Sequence, residues 1–161
     1  MNRLIQHITL PVFHEDGRLA TREVLEVEPV AANRYRLLHS PAYVEGIAAR
    51  DVIELDQSLQ SGFRLVSRAG NLAVIVVFEK PEDKSAQAKR LEELIQTIGG
   101  VVDGGPARVL VLTVPVSSGF QGVERLLAEF IREVPGATWW YGNVYEAGDP
   151  LRPLNWWNDG E

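Results

Sequence analysis

The chain has no cysteine, one methionine and three histidines in 161 residues. The first absence excludes disulfides, thiolate metal sites and cysteine nucleophiles. The histidines, His7, His14 and His39, have neither the i, i+4 nor the His-x-His spacing of a metal site. No metal and no cofactor is therefore expected. Basic residues are in the minority, 16 Lys and Arg against 22 Asp and Glu, for a net charge of −6. Affinity for nucleic acid comes largely from neutralised phosphates, so nucleic acid is not an expected partner. The longest apolar run is Leu72 to Phe78, far short of the ~20 residues a spanning helix needs. The opening residues Met1 to His7 carry no apolar signal core. The expectation is a cytoplasmic protein that makes no membrane contact.

Catalytic motifs are equally scarce. There is no G-x-S-x-G, and Ser117-Ser118-Gly119-Phe120-Gln121-Gly122 lacks the Lys of a phosphate loop. Ser117 or Ser118 reads as a helix cap. Gly99-Gly100 and Gly104-Gly105 read as turns. Paired carboxylates at Glu15/Asp16, Glu82/Asp83 and Glu92/Glu93 fall on a turn and on a helix surface, where solvated charge is the ordinary state.

What is present is a globular composition, 45% apolar and 24% charged. Residues 1–68 hold short strand signals and no amphipathic helix. Leu4 to Phe13, Glu23 to Val30, Arg34 to His39, Val52 to Leu55 and Phe63 to Ser67 are separated by turn residues such as His14-Glu15-Asp16-Gly17 and Asn33. Five close-spaced strands predict a small β-barrel-like half.

Residues 71–146 follow another plan. Leu72 to Phe78 and Arg108 to Val116 are apolar on both faces, the mark of interior strands. Between them, Glu82 to Ile98 places Ala88, Leu91, Leu94, Ile95 and Ile98 on one helical stripe, stopped by Gly99-Gly100. Val101-Val102 is a short strand. A second helix carries Val123, Leu126, Leu127, Phe130, Ile131 and Val134 at helical spacing, and Thr138 to Glu146 is the last strand. The order βαββαβ predicts a ferredoxin-like half in an α+β protein. Residues 147–161 form a tail whose Pro150 and Pro153 forbid a regular helix.

Glu23-Val24-Leu25, Tyr35-Arg36-Leu37, the stretch Ser40-Pro41-Ala42-Tyr43-Val44-Glu45-Gly46-Ile47-Ala48-Ala49-Arg50-Asp51-Val52-Ile53 and Ala69-Gly70-Asn71 together resemble the bacterial domain-of-unknown-function family 4265. The resemblance covers residues 4–146. Arg50 stands where that family has Gly, and Ala69 where it has Ser. The resemblance implies a fold and no activity. Read without it, a turn presents Ile47 to the first half, and Asp51 binds backbone at the entry to the next strand.

All four tryptophans lie in the last 23 residues, as Trp139, Trp140, Trp156 and Trp157. The tail is expected to fold back and dock its indoles, since Trp is buried on average. Aromatics also dominate interface hot spots, so Trp139, Tyr141, Trp156 and Trp157 are candidate interaction residues. The leading expectation is a non-catalytic binding or protein-interaction protein, with a protein partner or a second copy of the chain as occupant. The alternatives are an enzyme or small-molecule binder with a site between the halves, for which His39, Tyr43 and Arg50 are the candidate cleft residues, and an immunity-type inhibitor of a basic toxin, which the negative charge permits.

Overall fold

A computed structural model describes residues 4–158. The first half is an antiparallel meander of five strands: β1 (Gln6–Phe13), β2 (Leu19–Ala31), β3 (Arg34–Leu37), β4 (Val52–Leu55) and β5 (Phe63–Ser67), in sheet order β1-β2-β3-β4-β5. Gly17 (φ +86°) and Asn33 (φ +62°) make the turns between β1 and β2 and between β2 and β3. Both adopt the left-handed region that these residue types enter at least cost. Alternate residues Ile8, Leu10, Leu25, Val27, Leu37 and Ile53 face one side and bury there with Val44 and Ile47.

The meander does not close into a barrel. Among the described residues β1 and β5 pair only with β2 and β4. β1 carries Pro11, which has no N–H for a closing ladder. The Pro11 ring instead lies against the turn before β5, its Cδ 3.3 Å from where a Cβ on Gly62 would stand. The barrel expectation is thus corrected to an open sheet.

The second half contains β6 (Asn71–Val77), α1 (Pro81–Gln96), β7 (Val101–Gly104), β8 (Val109–Pro115), α2 (Phe120–Glu133) and β9 (Thr138–Tyr141). Its sheet runs β7-β8-β6-β9, with every neighbouring pair antiparallel. The doubly apolar strands β6 and β8 are the two interior ones. Leu72, Val74, Val76 and Phe78 face the helices and pack with Leu91, Ile95, Val123, Leu127 and Phe130. Phe78 and Phe130 meet edge to face at 6.1 Å, a favoured geometry for ring quadrupoles.

Neither serine caps α2. Val116–Ser118 form a single 3₁₀ turn, Gly119 occupies the cap position, and the Ser118 hydroxyl donates to the Ile98 carbonyl at the end of α1. The expected last strand also divides. β9 stops at Tyr141, and Tyr145–Glu146 (β10) pairs with Asp149–Pro153 (β11) in a hairpin. A 3₁₀ turn, Trp156–Asn158, ends the described chain. Among the described residues no helix is long and apolar enough to cross a membrane.

Candidate functional site: a cleft along the seam

The segment between β3 and β4, residues 38–51, leaves the first sheet and lies over the second. It covers the face of β6 and β8 that the helices do not. Ala42 packs on Ile75, Val109 and Val111. A loop carries backbone donors that a helix would satisfy internally, so burying one requires other acceptors. Glu23, from β2, accepts from three successive backbone N–H groups: Ala42 (2.7 Å), Tyr43 (3.0 Å) and Val44 (2.9 Å). Asp51 accepts from Ala48 N–H (3.0 Å) and Ala69 N–H (2.9 Å), with the Arg68 guanidinium 3.8 Å away. Burial pushes the Asp51 carboxyl above its ordinary range, against the pull of those bonds and that guanidinium. The backbone-binding role expected of Asp51 is the one observed. Asn71 Nδ2 donates to the Ala49 carbonyl, and the Arg68 guanidinium to that of Gly46.

Beyond Tyr141 the β6–β9 ladder continues through a side chain. Asn143 is fully buried; its Oδ1 accepts from Ala73 N–H and its Nδ2 donates to the Asn71 carbonyl, both at 2.8 Å. Its own carbonyl accepts from the Trp156 indole N–H at 2.8 Å. The tail is thereby fixed to the seam.

The four expected interaction aromatics are half-buried inside the molecule. Trp157 packs on Phe120 at 4.9 Å, Trp156 on Trp157 at 5.5 Å, and Trp139 on Tyr141 at 5.0 Å. Arg68 lies 5.1 Å over the Trp156 ring, a cation–π contact that joins the first half to the tail. Burial pushes the Tyr141 phenol up, and the Glu124 carboxylate adds to the rise. Glu124 acts as a nearby charge rather than as a well-aligned acceptor, because the buried hydroxyl has no partner of hydrogen-bond geometry.

The candidate cleft residues do not converge. His39 stands at the opposite rim of the seam, its Nε2 3.2 Å from Glu26 and its Nδ1 3.5 Å from Asp103. Asp103 also accepts from Ser40 N–H and the Thr113 hydroxyl. Arg50 is exposed and holds a left-handed backbone, φ +72°. That conformation is one that glycine would enter without the side-chain cost arginine bears. Tyr43 alone, 44% exposed, lines a cleft.

That cleft, about 410 Å³, occupies the gap where the meander fails to close. Phe13 and His14 come from the end of β1, Phe63 from β5, Tyr43 and Glu45 from the seam loop, and Gly148 from the tail hairpin. Past Tyr43 a smaller hollow of about 170 Å³ lies against Ile75 and Trp140. Trp140 is the indole that points away from the helices and is 48% exposed. Glu45 borders both spaces. Desolvation pushes its carboxyl up, partly offset by a hydrogen bond from the Gly148 backbone. Sequence reasoning missed Glu45 and Trp140 as site residues. The strand alternation that sets Trp140 opposite Trp139 and Tyr141 held a usable signal for the second.

Fold and seam together define an α+β protein of two main antiparallel sheets and a two-stranded tail hairpin, the main sheets joined by a loop that lines a cleft. The family described as "Domain of unknown function (DUF4265)" matches residues 23–139, and the chain belongs to it. The match opens on Glu23, the residue that grips the seam loop. No curated protein matches the chain. A solved structure, "Novel crystal structure of a hypothetical protein from Neisseria gonorrhoeae", is similar with a TM-score of 0.65 at 14% identity, over 88% of this chain and 96% of that one. At that identity the likeness is one of fold.

Proposed function

We propose that the chain is a non-catalytic binding protein, of the cytoplasm on the compositional argument, whose partner occupies the seam cleft. The observation that carries this reading is the site's make-up. Exposed Tyr43 and Trp140 and half-buried Phe13 and Phe63 line two adjoining hollows beside the seam loop, and aromatics around a concavity are the usual anchors of recognition. The tail aromatics serve the molecule's own core, which moves the interaction surface from the tail to the seam. We class the second half as ferredoxin-like on its strand order.

The seam's polar groups argue against catalysis. Ser40 Oγ is buried against Thr113 Oγ1 at 2.6 Å and accepts from Ala49 N–H, while each His39 ring nitrogen faces a carboxylate. A nucleophile and base in mutual contact would support an enzyme instead. The test is affinity capture from native lysate with the full chain and with Tyr43→Asp and Trp140→Asp variants. Loss of the captured species in both variants supports the cleft. Retention in both, with loss on truncation after residue 150, returns the contact to the tail.

A further inference from the structure

Resting on that reading, we infer that the cleft accepts a basic side chain of a protein partner, with Glu45 as its counter-charge and the surrounding rings as its walls. The ionisable groups lining the larger hollow are Glu15, Glu45, His14 and the Tyr43 phenol, with no Lys or Arg among them. Among the described residues no Lys, Arg or His lies within ion-pair distance of Glu45, whose carboxylate is bonded by the Gly148 backbone. Other seam carboxylates are matched: Asp51 faces Arg68, and Glu23 holds three N–H groups. Glu45 is thus an exposed carboxylate, without a cationic partner, at the edge of an aromatic-lined space. An ammonium or guanidinium entering there meets an opposite charge and the rings of Phe13, Tyr43 and Phe63 that line the cleft. The net charge of −6 steers a basic partner toward the molecule. A protein segment fits better than a free small cation, because the cleft continues past Tyr43 to the apolar hollow at Ile75 and Trp140. A neighbouring apolar side chain fills that second space.

The test is a nuclear magnetic resonance titration of the full chain with N-acetyl-Lys-Leu-methylamide, its Arg-Leu counterpart, and Glu-Leu and norleucine-Leu controls. Saturable shifts are expected at Phe13, Tyr43, Val44, Glu45 and the Trp140 indole with the two basic probes, and Glu45→Gln should weaken them about tenfold, the effect of losing one charge-assisted contact. Equal binding of the norleucine control, or unchanged binding by Glu45→Gln, overturns the inference and leaves the cleft as the site. Tighter binding of spermidine than of either basic dipeptide overturns the choice of a protein partner. Absence of shifts with the basic probes overturns the inference alone if lysate capture still depends on Tyr43. It overturns the binding reading as well if capture ignores Tyr43.

Discussion

The second sheet is covered by two helices on one face and by a loop on the other, and the two covers are built from different chemistry. The helix face is aliphatic and aromatic: Leu72, Val74, Val76 and Phe78 against Leu91, Ile95, Leu127 and Phe130. The loop face holds three of the four residues that are both polar and buried among those described, Ser40, Asp51 and Thr113, while the fourth, Asn143, closes the end of the β6–β9 ladder. A helix brings its backbone bonds with it, so a sheet face needs only apolar side chains to bury one. A loop brings unsatisfied N–H groups, and the chain must supply an acceptor for each. The first cover is fixed by a repeating pattern. The second is fixed by single residues at particular points, and it leaves a gap where they stop.

The sharpest way to break this contrast is to delete a packed side chain from the helix face. Phe130→Ala should cost about 3–5 kcal/mol, the range for emptying a large buried aromatic site, measured by urea unfolding. A cost below 1 kcal/mol would show that the helix layer is loosely packed. The matching change on the loop face is Glu23→Ala, expected to cost about 2–3 kcal/mol for the stranded N–H groups. Its distinguishing readout is hydrogen exchange. The amides of Ala42, Tyr43 and Val44 should exchange faster while those of α1 and α2 keep their protection; uniform acceleration would mean the loop is not separately held.

The tail comes next. Replacing Trp156 and Trp157 by Ala should lower stability by about 2 kcal/mol, since both are half-buried. Size-exclusion chromatography should show unchanged mass; a change in mass would make the tail an intermolecular contact. Tyr141→Phe removes a buried hydroxyl that lacks a partner, and should be neutral or stabilising by up to about 1 kcal/mol. A clear loss would reveal a hydrogen bond to Glu124.

The smallest expected effect is a pH dependence. The folded-state pKa of Glu45 is raised above its ordinary 4.5, chiefly by desolvation, so the folded chain holds that proton more tightly than the unfolded chain. Its contribution to stability is fully present below the ordinary pKa and is lost as pH rises through the folded value. Glu45→Gln should therefore gain on the wild type by a few tenths of a kcal/mol between acid and neutral pH, discounted for the solvent around the group. Urea melts at both pH values check this, and a relative loss toward neutral pH would give the wrong sign.

Much of the helix side was legible in the sequence. The doubly apolar runs of β6 and β8 marked the interior strands, and the stripe from Val123 to Val134 marked α2, because periodicity records burial directly. Docking of the tail was legible from four tryptophans and two prolines. The loop side was harder to read. Closure of a barrel depends on pairing between strands some fifty residues apart, and Pro11 within β1 is the local signal against it that strand counting passes over. Glu23 looks like any solvated carboxylate on a half-exposed strand until the loop it holds is in place. Ser118 has the residue type of a cap, but its hydroxyl is committed to Ile98 at the end of the other helix. Glu45 sat within the stretch that carried the family resemblance, and nothing in its neighbours distinguished it from the turn residues around it.

The confinement of all the indoles to residues 139–157 also makes the molecule optically lopsided. Tryptophan emission reports on β9, the tail and their contacts with Arg68 and the seam loop, while far-ultraviolet dichroism averages over the strands and helices of the whole chain, so the two melts weight different parts of it. If the seam joins the halves into one cooperative unit, the two curves coincide. If they separate, the fluorescence curve identifies which part lets go and when.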